Sequence, residues 1–204
     1  MVFIKVSGDL VVEILPAQEG DLTPPGYIAY SGVIPTASVL KWDPETNTII
    51  ADLTQDKEDK KNEIQEELDE ILGEGYESIK GIKLQSTPLD VMLYDGGIRT
   101  DQKIGSPNTI FRDYDKNMVV MDINEADTLI TELALYVRYA FGKQWEAEQL
   151  IEAAETMEDL EAVNLRQLIL DGLDDFKEQI KQTLGYTTDD SSETTSTSEG
   201  GTSE

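Results

Sequence analysis

The 204-residue sequence contains no cysteine and no histidine. The first absence excludes disulfides and thiolate metal sites, and the second excludes imidazole bases, so Ser-His-Asp and Cys-His catalysis are both out of reach. Positive charge is scarce. Sixteen Lys and Arg stand against 42 Asp and Glu, for a formal net charge of −26 and a pI near 4.1. Such a chain is repelled by nucleic-acid phosphates and by anionic lipid, so neither nucleic acid nor membrane is expected as a partner. No apolar run approaches the roughly 20 residues that span a bilayer. The start, Met1-Val2-Phe3-Ile4-Lys5-Val6, lacks the apolar core and cleavage site of an export signal, so a soluble, non-exported protein is expected. No cofactor is expected.

What is present divides by period. Val2-Phe3-Ile4-Lys5-Val6 and Leu10-Val11-Val12-Glu13-Ile14 are β-branched runs around Ser7-Gly8-Asp9, which is hairpin chemistry. Tyr27-Ile28-Ala29-Tyr30, Val39-Leu40-Lys41-Trp42 and Thr48 to Leu53 follow as short strands punctuated by Pro16, Gly20, Pro24, Pro25 and Pro35. Beyond Leu53 the pattern turns helical, with Ile64, Leu68, Ile71 and Leu72 on one face and a stop at Gly73 or Gly75. A short strand over 78–84 with a turn or bulge at Gly81 comes next. Thr87-Pro88-Leu89-Asp90 then opens a helix that Gly96-Gly97 is expected to stop near Tyr94. Thr109 to Arg112 and Met118 to Met121 flank a second hairpin turn. Thr156 to Asp159 caps a shorter helix, and the residues from Thr187 on have no core-building side chain, which predicts a flexible acidic tail.

The longest signal runs from Asn124 to Glu155. Ala126, Ile130, Leu133, Val137, Ala140, Ala147, Ile151 and Ala154 recur in steps of four and three, broken only by Gln144, with Asn124 as the expected cap and Gly142 as the weak point. A second arc carries Leu129, Leu135, Tyr136, Tyr139, Phe141 and Trp145. Leu165, Ile169, Leu173, Phe176, Ile180 and Leu184 mark one side of a terminal helix ending at Gly185. Apolar surface on this scale predicts burial against a second molecule, with Ile130, Leu133, Val137, Phe141, Trp145, Leu165, Ile169, Leu173, Phe176 and Ile180 as the interface. The fold class expected is α+β. A small antiparallel β module over 1–53 precedes a helix-rich α+β domain over 54–163, an amphipathic interaction helix over 164–185, and the tail over 186–204.

Candidate chemistry is thin. Asp113-Tyr114-Asp115-Lys116-Asn117 has the first three oxygen positions of a calcium loop, but Met118 stands where the turn needs Gly and Asn124 where the bidentate Glu belongs, so a plain hairpin turn and no metal is the reading. The pairs Glu66-Glu67, Asp69-Glu70 and Asp174-Asp175 lie on polar helix faces rather than across a cleft, and read as solvated surface. Tyr136, Tyr139, Phe141 and Trp145 could stack on a sugar, but their helical spacing favours core or subunit contact.

The order of elements carries a resemblance. Lys60-Lys61-Asn62-Glu63-Ile64 opening a charged helix, Gly75 after it, the strand with Gly81, the helix from Thr87, the hairpin through Asn117, then a helix ending in Glu146 and Ile151-Glu152-Ala153-Ala154 followed by Leu160 resembles a domain of no assigned activity. That domain recurs in tailed-bacteriophage tail-fibre and tail-fibre-assembly proteins, and the resemblance covers about residues 55–163. It implies a tail-associated, non-enzymatic role and transfers no catalytic or ligand residue. The expected protein is a structural tail component, a fibre or baseplate adaptor that self-associates, with a trimer preferred, and docks to other phage tail proteins. It would be made in the host bacterial cytoplasm and located in the virion tail. The alternatives are a tail-fibre assembly chaperone and a host-glycan-binding or degrading tail protein.

Overall fold

In the computed structural model, which describes residues 1–18 and 20–186, the two opening β-branched runs pair as a hairpin. Strands β1 (Val2–Ser7) and β2 (Leu10–Pro16) are antiparallel. Gly8 turns the chain between them at φ 67°, a left-handed conformation that glycine adopts without steric penalty. β3 (Ile28–Tyr30) adds to β1, and β4 (Val39–Asp43) with β5 (Thr48–Asp52) extends the β2 side, for the order β3-β1-β2-β4-β5. Strand alternation sends Ile4, Tyr30 and Ile49 to one face, where they are buried among Val2, Val6, Val11, Ile34, Leu40 and Trp42. The chain is therefore α+β with an antiparallel sheet first and helices after it.

α1 (Thr54–Gly73) begins where Asp52 accepts hydrogen bonds from the Thr54 N–H and hydroxyl, and it buries the predicted face of Ile64, Leu68, Ile71 and Leu72. The short strand expected over 78–84 is instead a small hairpin of β6 (Tyr76–Glu77) and β7 (Lys83–Leu84), turned at Gly81. Gly75, just before it, has φ 80°, and a Cβ there would lie 2.5 Å from the Tyr114 ring and 2.7 Å from the Leu84 carbonyl oxygen.

α2 (Pro88–Lys103) starts with the predicted Thr87–Asp90 capping box but does not stop at Gly96-Gly97. Two glycines cost a helix about 1 kcal/mol each. Contacts beyond them offset this, since Ile98 is buried and Asp101 accepts a 2.6 Å hydrogen bond from Thr109. β8 (Asn108–Arg112) and β9 (Met118–Asp122) form the second predicted hairpin, a two-stranded sheet of its own. Its turn uses Asp113 to hold the N–H and side-chain amide of Asn117, so this carboxylate closes the turn.

α3 (Ile123–Ala153) follows directly. Asp122 rather than Asn124 caps it, accepting from the Asn124 N–H at 2.8 Å and the Glu125 N–H at 3.4 Å. α4 (Met157–Ala162) has the Thr156–Asp159 capping box, and α5 (Leu165–Leu184) ends at Gly185, φ 73°, with the Tyr186 N–H donating to the Lys181 carbonyl. Two compact units result, and both are discontinuous in sequence. One is Met1–Gly73 with Arg138–Asp171; the other is Glu74–Val137 with the described residues from Gly172 on. α3 and α5 each contribute residues to both units. The tail expected over 186–204 lies outside the described residues from Thr187 on. Among the described residues, no helix is long and apolar enough to cross a membrane.

Candidate docking surface

The heptad-like stripe of α3 is buried throughout: Ala126, Ile130, Leu133, Val137, Ala140, Ala147, Ile151 and Ala154 are all inside. Gln144, the polar break in the stripe, is buried too, and donates a 2.8 Å hydrogen bond to the Gln65 side-chain oxygen on α1. The second arc is also used internally. Tyr136 stacks on Tyr76 at 4.3 Å and meets Phe176 at 6.4 Å, and the Tyr139 hydroxyl donates to the Ile169 carbonyl.

Of the ten residues predicted as an interface, Ile130, Leu133, Val137, Leu165, Ile169, Phe176 and Ile180 are buried within the chain, and Phe141 and Leu173 are half-buried. This corrects the expectation that the stripes need a second molecule to cover them. A helix apolar on two arcs finds partners for both in its own chain. Trp145 is the exception, 63% exposed on a helix whose other large side chains are mostly enclosed.

Around Trp145 the C-terminal half of α3 presents an uncovered face. Gly142, Trp145, Glu146, Gln149, Leu150 and Ala153 are exposed at helical steps, and Leu150 is 46% exposed. Two shallow concavities flank it. One, of about 500 Å³, is walled by Leu150, Ala153, Ala162, Val163 and Leu168 with Glu155 and Asp159 at its edge. The other, of about 790 Å³, lies along Trp145, Glu148, Gln149, Glu152 and Lys61. An exposed tryptophan in a polar-edged hollow, with an apolar hollow further along the same helix, matches the composition of an interface, where aromatic anchors carry most of the binding energy.

The charge on this face is predominantly negative, with Lys61 and Lys143 the cations that reach it. From Trp145 to Ala162 the chain carries Glu146, Glu148, Glu152, Glu155, Glu158, Asp159 and Glu161 and no Lys or Arg. Lys61 reaches Glu152 at 2.6 Å, and this hydrogen bond, then the ammonium charge, holds the Glu152 carboxyl below its ordinary range. Lys143 reaches Glu146 at 2.8 Å. Hydrogen bonds from Thr156 and the backbone N–H groups of Glu155 and Thr156 likewise keep Asp159 ionised. Among the described residues Glu148, Glu155, Glu158 and Glu161 have no ion-pair partner, so acidic charge predominates over the surface.

A separate polar cluster escaped the sequence reading. Glu132 is fully buried on α3 and accepts hydrogen bonds from the Tyr76 hydroxyl at 2.8 Å, the Ile79 N–H at 2.8 Å and the Tyr186 hydroxyl at 2.6 Å. Burial, then the Glu132 charge, pushes the Tyr76 phenol well above its ordinary range, and burial with the hydrogen bond to Glu132 does the same to Tyr186. The signal was available: residue 132 falls between Leu129, Leu133 and Tyr136 on the apolar arc. With three neutral donors on one carboxylate, the cluster fastens the β6–β7 turn and the end of α5 to α3, which is a structural task.

The model of a family described as "Domain of unknown function (DUF4376)" matches residues 55–164. Neither the curated proteins nor the solved structures yield a match.

Proposed function

From the premise that this chain belongs to the family described as domain of unknown function (DUF4376), we propose that it is a non-enzymatic structural component of a bacteriophage tail, a fibre or baseplate adaptor. The tail setting is supported by the element order between Lys60 and Leu160, which resembles domains of tail-fibre and tail-fibre-assembly proteins. Synthesis is then in the cytoplasm of the host bacterium and the final location is the virion tail. The adaptor works by docking to a neighbouring tail protein through the face of α3 between Gly142 and Ala153. The observation that carries this reading is Trp145, 63% exposed in the wall of one concavity, with a second lined by Leu150 and Ala153 further along the helix. The predominantly negative charge around it selects a neighbour with basic residues around an apolar anchor, since complementary charge steers association and fixes partner choice.

The experiment is quantitative mass spectrometry of purified virions carrying the wild-type chain or Trp145→Ala. Stoichiometric presence of the wild type, and at least tenfold lower incorporation of the variant, is the expected result, on the order of a hot-spot truncation. Trp145 lies outside the core, so the variant folds, and circular dichroism checks this. Absence of the wild-type chain from virions overturns the structural role and is the outcome an assembly chaperone gives. Unchanged incorporation of the variant overturns the docking face.

A further inference from the structure

We propose that the outer face of the β8–β9 hairpin is a two-fold self-association surface whose occupant is a second copy of this chain. The proposal stands apart from the tail assignment. Register pairs Asn108 with Asp122, Ile110 with Val120 and Arg112 with Met118, which puts these six side chains on one face, and all six are exposed. Ile110 is 64%, Val120 58% and Met118 73% exposed. The opposite face is occupied: Phe111 meets Tyr94 edge-on at 5.9 Å, and Thr109 is held by Asp101. A two-stranded sheet with β-branched residues facing water on one side is an incomplete layer, since a sheet gains stability by covering its apolar face.

Charge identifies the occupant. Arg112 lies at the turn end of the face and Asp122 at the opposite end, on the other strand. Asp122 uses Oδ1 to cap α3, which leaves Oδ2 for a guanidinium. A two-fold axis in the plane between two such faces, perpendicular to the strands, lays the Arg112 end of one hairpin over the Asn108 and Asp122 end of the other. Ile110 and Val120 then meet their own counterparts near the axis, and an Arg112–Asp122 pair closes each rim. That is the self-complementarity of an isologous contact. The face has no net charge. The α3 face around Trp145 is predominantly negative and repels its own copy, so the two surfaces divide the work: the hairpin meets a second copy, and α3 meets a different, basic protein. Repulsion between the distant carboxylates of two copies is screened beyond roughly 8 Å at physiological salt.

Five residues per strand on two strands form a patch well below the roughly 800 Å² per partner of a standard interface, so the dimer is weak in free solution. Where copies are held side by side in one assembly, effective concentrations reach roughly millimolar and such a contact fills.

Sedimentation velocity of the full chain from about 10 µM to about 1 mM, at physiological salt, tests the proposal. The expected result is a monomer–dimer equilibrium. The double variant Ile110→Thr with Val120→Thr keeps β-branching at positions the monomer already exposes, so its thermal unfolding matches wild type while dimerisation weakens at least tenfold. Arg112→Glu also weakens it at least tenfold, and adding Asp122→Arg to Arg112→Glu restores it, with circular dichroism checking that α3 tolerates the lost cap. A strict monomer over the whole range overturns the proposal. So does a dimer indifferent to the threonine variant and to Arg112→Glu, or a ring of three or more copies.

Discussion

A carboxylate sealed in a protein interior is tolerated only when its lone pairs are matched, because an unpaired buried charge costs several kcal/mol. Glu132 meets that condition with two tyrosine hydroxyls and one backbone N–H. The arrangement has a consequence at alkaline pH. Tyr76 and Tyr186 are both held above the ordinary value of 10.0, so the folded state binds these protons more tightly than the unfolded chain does. Below about pH 10 both states are protonated and the contribution is constant. Above it the unfolded chain releases protons that the folded state keeps, and stability falls by about 1.4 kcal/mol per pH unit for each such tyrosine. An alkaline titration followed by phenolate absorbance and circular dichroism should therefore show Tyr76 and Tyr186 among the tyrosines that ionise only as the helical signal is lost. Ionisation of all eight tyrosines in the native state would remove Glu132 from the role given to it. At this scale sequence reads poorly. A lone Glu on an apolar arc marks a buried charge, yet the donors that satisfy it come from residues 76, 79 and 186, and no local pattern joins them.

Periodicity made the elements legible. The stripe from Ala126 to Ala154, the capping boxes at Thr87 and Thr156 and the Gly185 stop each reflect a local rule, and the structure follows each one. Two errors were of another kind. Gly96-Gly97 lowers local helix propensity, but tertiary contacts at Ile98 and Asp101 carried α2 through, and those contacts cannot be read from the glycines. The expectation that the stripes need a second molecule missed for a similar reason, because amphipathic spacing shows which side of a helix is apolar and not whether the cover comes from the same chain. Gly142 offers a direct test of helix energetics. It lies inside α3 on the exposed face, and the space a methyl group would enter is open. Gly142→Ala is expected to stabilise the protein by about 1 kcal/mol, seen as a rise of roughly 2–4 °C in the unfolding midpoint for a chain of this size. No rise, with helicity unchanged, would mean that α3 is not the element limiting thermal stability.

For the whole molecule the governing quantity is the excess of 42 acidic over 16 basic side chains. Two opposing effects follow when salt is added. Screening weakens the ion pairs, such as Lys60–Glu63, Lys61–Glu152 and Lys143–Glu146, but each has a largely solvent-exposed member and such pairs contribute roughly 0–1 kcal/mol. Screening also relieves repulsion among the carboxylates left without cations, which are far more numerous and act on the compact state more than on the expanded one. Relief should win. The unfolding midpoint is expected to rise by roughly 3–6 °C, about 1–2 kcal/mol, between low and physiological salt, and to flatten once the Debye length falls to roughly 8 Å. Docking on the α3 face should move the opposite way, because a basic partner is drawn by the same field that salt removes, and most of the loss should fall on the association rate. Differential scanning calorimetry for the chain alone, and stopped-flow binding of a Lys/Arg-rich peptide with a central Leu or Phe for the face, separate the two. A midpoint that falls with salt would show the ion pairs to outweigh the net charge, and a peptide on-rate indifferent to salt would show that charge does not select the partner.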